Sequence, residues 1–277
     1  MIETVGIVGA GQMGAGIANL FARHGFRVLL CDRDARQLER AVAGIRRDLA
    51  RRPPKEGTAD DVVGRIATSL TLDPFAAAGF VVEAVTEEEP LKREIFRQLD
   101  GIVPHGVVLA TNTSSIPIAS IAAATDRPDR VIGMHFMHPV PVMALVEVIR
   151  GAATSDDTFA VTAGLAARLG KEMAVSRDLP GFIVNRILIP MINEAVYALE
   201  DNVATAQDID KAMRLGTNQP MGPLALADFI GIDTVLSIAK VLFERFADPK
   251  YCPCPRLARM VAAGELGRKS GKGFFTY

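Results

Sequence analysis

The sequence predicts an α/β protein with an all-α C-terminal domain, and three observations carry that prediction. A glycine-rich turn, Gly9-x-Gly11-x-x-Gly14, joins a short apolar run to an amphipathic segment. Further continuous apolar runs are separated by stretches of helical period as far as residue 178, the pattern of a Rossmann-like, doubly wound sheet. Beyond Asp178 only the helical period continues. A chain of 277 residues suits two domains, which we place at 1–178 and 179–277.

Taken in order, Thr4 to Val8 reads as a strand that ends in Gly9, and Met13, Ile17, Leu20 and Phe21 then recur at helical spacing. Phe26 to Cys31 is a second strand with the apolar character of one buried on both faces, completing a βαβ unit by Asp32. Strands are expected at Phe80 to Val85, Val107 to Ala110, Val131 to Met134, Leu145 to Ile149 and, briefly, Met173 to Val175. Leu91, Ile95 and Leu99 mark one intervening helix; Phe159, Thr162, Ala166 and Leu169 mark another. Arg51 to Thr58, with two prolines and a glycine, is a surface excursion between two helical segments. In the tail, Leu188, Ile192, Ala195 and Leu199 share a helix whose first turn suits Pro180. Thr205 with Asp208 resembles a capping box, Pro223 opens a helix, and Pro249 closes the one that holds Val235, Leu242 and Phe246.

Composition narrows the function. Lys plus Arg number 31 against 32 for Asp plus Glu, a net charge of -1, without a long basic run, which argues against nucleic acid and for a small substrate. A chain 49% hydrophobic and 23% charged, without a membrane-length apolar stretch, is soluble globular composition, and no membrane partner is expected. Met1 to Ala10 lacks a basic segment and carries Glu3, so it does not read as a secretory signal; a cytoplasmic location is the expectation. Cys31, Cys252 and Cys254 are too few for a disulfide framework, and Cys-x-Cys lies outside the usual metal spacings.

The glycine motif gains weight from its context: a buried strand before it, an amphipathic helix after it, and Asp32 18 residues beyond Gly14 at the end of the second strand. Gly9 permits the tight turn, Gly11 lets backbone N–H groups approach a pyrophosphate, and Gly14 allows close helix packing. Asp32 accepts hydrogen bonds from ribose hydroxyls and repels a 2′-phosphate, which favours NAD over NADP. FAD uses the same turn, but hydride exchange with a small alcohol suits the next cluster better.

His135 and His138 lie just after a strand, where α/β sites form. Glu147 interrupts the apolar run Leu145 to Ile149, and a carboxylate there needs a partner, for which His135 is the obvious candidate. Such a pair fixes the imidazole tautomer and stabilises the imidazolium, leaving the other nitrogen to take an alcohol's proton. The alternatives are a purely structural pair, or a metal site through both histidines, for which Pro139 and the lack of a third ligand are unfavourable. Thr111-Asn112-Thr113-Ser114-Ser115 follows another strand and offers uncharged groups, either to orient a carbonyl or as caps and turns. Asn185 shares the apolar face of the first tail helix, either reaching a site or satisfied within the core.

With these residues assembled, the sequence resembles the L-3-hydroxyacyl-CoA dehydrogenase family, most closely its short-chain 3-hydroxybutyryl-CoA members. The resemblance spans nearly the whole chain, through Glu83-Ala84-Val85, the Thr111 to Ser115 stretch, His135-Phe136, Pro139 to Met143, Leu145 to Ile149, Pro180 to Arg186, Gly222-Pro223 and Gly267 to Phe274. It implies NAD-dependent oxidation of a 3-hydroxyacyl-CoA to the 3-ketoacyl-CoA, as in fatty-acid β-oxidation. His135 would be the base, Glu147 its partner, and Ser114 and Asn185 substrate-orienting groups. Gly9, Gly11, Gln12, Met13, Gly14, Asp32, Glu87, Lys92 and Asn112 fall on cofactor-side positions, and the helical tail implies a substrate and dimerisation domain, hence a homodimer. His138 stands where the family usually has Asn, Glu88 where Asn is common, and Ala144 where Lys is frequent. The Arg51 to Thr58 stretch is shorter and richer in proline than the family's CoA-holding helical arm. Either a protonated His138 near His135 makes it harder for His135 to carry its proton, or His138 makes only a local turn contact and is silent. A dehydrogenase of a small 3-hydroxy acid or carnitine-like substrate, and a noncatalytic NAD-binding protein of the lens-crystallin kind, are the rival readings.

Overall fold

In the computed structural model, which describes residues 2–277, apolar runs and amphipathic segments alternate as β1 (Thr4–Val8), α1 (Gln12–Arg23), β2 (Arg27–Cys31), α2 (Ala35–Arg51), α3 (Ala59–Gly64), β3 (Ile66–Ser69), β4 (Phe80–Glu83), α4 (Glu89–Ile102), β5 (Val108–Thr111), α5 (Ile118–Ala122), β6 (Val131–Phe136), β7 (Leu145–Arg150), α6 (Asp156–Arg168) and β8 (Glu172–Arg177). The strands form one sheet in the order β3-β2-β1-β4-β5-β6-β7-β8. Chain order reverses between β1 and β4, the switch point at which open α/β sheets bind ligands.

Period-two alternation sorts the sheet residues onto two covered faces. Val5, Ile7, Phe80 and Val82 pack with residues of α1, α2 and α6. On the opposite face Gly6 lies against Phe75, and Gly133 and Gly151 against Ile118 of α5. Helix starts follow local chemistry: Asp34 and Ser155 accept from the first-turn N–H groups of α2 and α6, and Thr58 with Asp61 completes a capping box at α3.

Three features differ from the sequence expectation. β3 was not anticipated, because Ile66-Ala67-Thr68-Ser69 is a short edge strand without a continuous apolar run. β7 runs antiparallel to β6 in an otherwise parallel sheet, with β8 parallel to β7. β6 also extends through Phe136, so His135 is a strand residue rather than one just beyond the strand.

The chain divides into Met1–Leu179 and Pro180–Tyr277. The second unit consists of α7 (Val184–Glu200), α8 (Ala206–Gly216), α9 (Pro223–Ile230), α10 (Ile232–Phe246) and α11 (Pro255–Ala262) around Ile192, Val196, Leu224, Val235, Leu236 and Leu257. Thr205 caps α8 and Pro223 opens α9. Pro180 precedes α7 by four positions instead of opening it, in a turn where Gly181 and Phe182 adopt positive φ angles of 75° and 50°. Among the described residues no helix is long and apolar enough to cross a membrane.

Candidate active site

The glycine turn forms where β1 hands over to α1. Gly9 has φ 96°, and a Cβ there would lie 2.7 Å from the carbonyl oxygen of Ala84. Gly14 is needed within the turn itself, since a Cβ on it would meet the Gly9 oxygen at 1.8 Å. Around Gly11 nothing lies within 4 Å of a Cβ position, so its backbone is open to a ligand. Asp32 closes the turn: Oδ2 accepts from Ala10 N at 2.8 Å and Oδ1 from Asp34 N at 3.0 Å. A carboxylate has about four acceptor positions, so two bonds leave capacity for ribose hydroxyls. An open backbone at Gly11, the N-terminus of a twelve-residue helix and an adjacent carboxylate fit a dinucleotide. Beside the turn runs a cleft of about 310 Å³, lined among others by Gly11, Gln12, Gln37, Arg40, Asp48 and His138.

A buried polar network lies at the ends of β4 and β5. Glu83 is fully buried; Oε1 accepts from Lys92 Nζ at 2.6 Å and from Val85 N at 2.7 Å, and Oε2 from the Thr111 hydroxyl at 2.7 Å. Lys92 is only 1% exposed, and its ammonium also lies 3.5 Å from Glu87. Glu87 in turn gathers the Thr113 to Ser115 loop, accepting from the Thr113 hydroxyl at 2.6 Å, from Ser114 N and Ser115 N at 2.8 and 2.9 Å, and from both serine hydroxyls. Burial pushes the Glu87 carboxyl up, but the Lys92 ammonium and these donors outweigh it and hold the group below the usual carboxylate range. Asn112 ties the neighbouring strands together, its Oδ1 accepting from Phe136 N at 2.9 Å.

His135 and Glu147 face each other in register across β6 and β7. Because β7 runs backwards, its early residue Glu147 lies at the sheet end that β6 reaches with His135, the end that also carries the glycine turn and the serine loop. Nδ1 of His135 lies 2.7 Å from Oε2 of Glu147, with Glu147 fully buried and His135 8% exposed. A carboxylate only accepts, so Nδ1 carries the hydrogen and Nε2 is the basic nitrogen. His138 points elsewhere: its Nε2 meets Nε2 of Gln12 at 2.9 Å, the amide donating to the ring. Burial lowers the His138 pKa, which favours this neutral acceptor form. Asn185 is buried in the first turn of α7, in the C-terminal unit. Burial and the neighbouring Asp32 push the Cys31 thiol up to about 11, unfit for a nucleophile. No group of three or more potential metal ligands occurs among the described residues.

Glu83 and its partners were missed as a working unit, although the signal is the one that exposed Glu147: a lone acid in the apolar run Phe80 to Glu83.

Residues 4–179 match the family model described as 3-hydroxyacyl-CoA dehydrogenase, NAD binding domain, and 181–277 that of the C-terminal domain. The chain belongs to the 3-hydroxyacyl-CoA dehydrogenase family. It is 50% identical over 281 residues to the 3-hydroxybutyryl-CoA dehydrogenase of Bradyrhizobium diazoefficiens, covering 100% of this chain and 96% of that one. A probable 3-hydroxybutyryl-CoA dehydrogenase of Bacillus subtilis is 50% identical over 280 residues, covering 100% and 98%. The crystal structure of the (S)-3-hydroxybutyryl-CoA dehydrogenase of Ralstonia eutropha superposes with a TM-score of 0.95 at 49% identity, covering 100% and 99%. The dehydrogenase is accordingly an NAD-dependent oxidoreductase acting on CH–OH.

Proposed function

We propose that this dehydrogenase oxidises short-chain L-3-hydroxyacyl-CoA, best 3-hydroxybutyryl-CoA, to the 3-ketoacyl-CoA, a step of fatty-acid oxidation. The acceptor for the hydride of carbon 3 would be supplied by NAD bound at the glycine turn. Nε2 of His135 takes the hydroxyl proton as that hydride leaves. Glu147 holds Nδ1–H, keeps the ring in the reactive tautomer, and stabilises the imidazolium that forms. Ser114, anchored by Glu87 through its backbone and hydroxyl, orients the substrate. Asp32 and the backbone of Gly9, Gly11, Gln12, Met13 and Gly14 would hold the dinucleotide, with Asn112, Glu87 and, through the carboxylates, Lys92 on the cofactor side of the site.

The observation that carries this reading is the 2.7 Å His135–Glu147 pair at the sheet end that also bears the glycine turn. The substrate class is supported by relatives 50% identical over 96% and 98% of their length. We further infer a cytoplasmic homodimer, for which the exposed apolar residues Ile187, Val203, Leu215 and Phe243 of the C-terminal unit supply surface; a sedimentation measurement showing only monomer contradicts it. The test of function is an NAD-coupled assay over a series of L-3-hydroxyacyl-CoA chain lengths beside free 3-hydroxybutyrate. The reading expects the highest kcat/KM at four carbons and very little turnover of the free acid. Equal efficiency with the free acid contradicts the CoA assignment.

A further inference from the structure

The turn that joins β6 to β7 is held from two sides. Toward α1, buried Val140 packs so closely on Gly16 that a Cβ there would lie 3.0 Å from Val140 Cγ2, and His138 meets Gln12 beside it. From the other side Lys171, between α6 and β8, donates through Nζ to the carbonyl oxygens of Val140 at 2.7 Å and Met143 at 2.6 Å. The turn closes on itself through Val142 N and Met143 N to the Pro139 oxygen. An ammonium offers three donors and no acceptor, so two converging carbonyls suit it, and a charged donor binds each more strongly than a neutral one. His135 and Glu147, by contrast, are placed by the β6–β7 ladder itself.

We propose that Lys171 is a positioning residue for the cofactor: by clamping the Pro139 to Met143 turn it seats Val140 on Gly16 and His138 on Gln12, and so fixes the glycine turn to which NAD binds. The inference rests on the assignment of NAD to that turn. It separates two properties of one loop. The clamp sets cofactor binding, whereas the strands on either side of the loop set proton transfer.

The experiment measures the NAD dissociation constant, the KM for NAD and kcat for the full chain and for Lys171→Met, Lys171→Arg, Lys171→Gln, Gly16→Ala and Asp32→Ala. Lys171→Met should raise the Kd and KM for NAD by about tenfold, the scale of one hydrogen bond to a charged group, with kcat within about twofold. Lys171→Arg keeps donors for both carbonyls and restores binding, while Lys171→Gln, with one amide, falls between. Gly16→Ala pushes on the same seat from α1 and should give the same signature. Its combination with Lys171→Met should be less than additive, since both act through one turn. Unchanged NAD binding in Lys171→Met, a loss confined to kcat, or no rescue by arginine overturns the proposal. Should the methionine variant not fold, glutamine carries the test, and wild-type NAD binding in it overturns the proposal. Asp32→Ala separates the two levels: if it weakens NAD binding and Lys171→Met does not, only the clamp fails. If Asp32→Ala binds NAD normally, the site assignment and the clamp fail together.

Discussion

Glu147 stands directly opposite His135 across an antiparallel strand pair, its Oε2 2.7 Å from Nδ1, in the one strand pairing of the N-terminal unit that runs against its neighbours. The carboxylate is fully buried, and His135 Nδ1–H is a donor aimed at it. Glu147→Gln preserves the shape and an acceptor but not the charge. A neutral hydrogen bond is weaker than a charged one by about 1 to 2 kcal/mol, which corresponds to a fall in kcat of about five- to thirtyfold. Steady-state kinetics at saturating NAD should show that loss with little change in the KM for NAD; an unaltered kcat would remove Glu147 from the mechanism.

Asp32 braces the glycine turn and offers the acceptor for ribose hydroxyls. Its replacement by alanine should weaken NAD binding by about 1 to 3 kcal/mol, the range for a hydrogen bond to a charged group, and narrow the preference for NAD over NADP. Calorimetric titration with both dinucleotides measures this, and equal affinity of the unmodified protein for the two contradicts the role given to Asp32.

Lys92 and Glu83 form an ion pair 1% and 0% exposed. Removing one member of such a pair strands the other charge, at a cost of about 3 to 5 kcal/mol. Lys92→Met should therefore lower the unfolding free energy by that amount in urea titration, and adding Glu83→Gln should recover part of it, because the stranded charge is then gone. A double variant less stable than Lys92→Met alone would show that the carboxylate is satisfied without the ammonium.

Glu87 has its folded-state pKa held below the ordinary glutamate value of about 4.3. A depressed carboxylate stabilises the fold fully above its unfolded pKa, and that stabilisation is lost as pH falls through the lower folded value. The stability difference between the wild type and Glu87→Gln should be constant from pH 7 down to about 5.5 and shrink below it, toward the folded pKa. Urea unfolding of both proteins across that window decides it; a difference independent of pH would mean that the loop donors do not favour the charged form.

The glycine turn, Asp32, the two-part organisation and both halves of the His135–Glu147 pair were legible in the sequence because each leaves a local signature: a spacing, a strand end, or a charge in an apolar run. What carried no local signature was strand direction. Leu145 to Ile149 reads the same whichever way the strand runs, and only the reversal of β7 places Glu147 opposite His135. The edge strand β3 and the position of Pro180 were lost for a related reason, since tertiary contacts rather than periodicity decide them. Burial of Lys92 is likewise a property of the assembled network: its spacing on α4 shows a lysine near an acid, not an ammonium closed off by Glu83 and Glu87. For His138 the sequence leaves open a charge effect on His135 or a silent local contact, and the structure engages its ring with Gln12.

The central claim is that His135 is the base of a CH–OH oxidation. Its most direct test is the turnover of His135→Gln with 3-hydroxybutyryl-CoA at saturating NAD, taken with the NAD dissociation constant of the same variant. General-base catalysis contributes about 10² to 10⁴ in rate, so turnover should fall by that factor while NAD binds as in the wild type. A variant that retains nearly full turnover, or one that loses NAD binding in step with rate, would contradict the account.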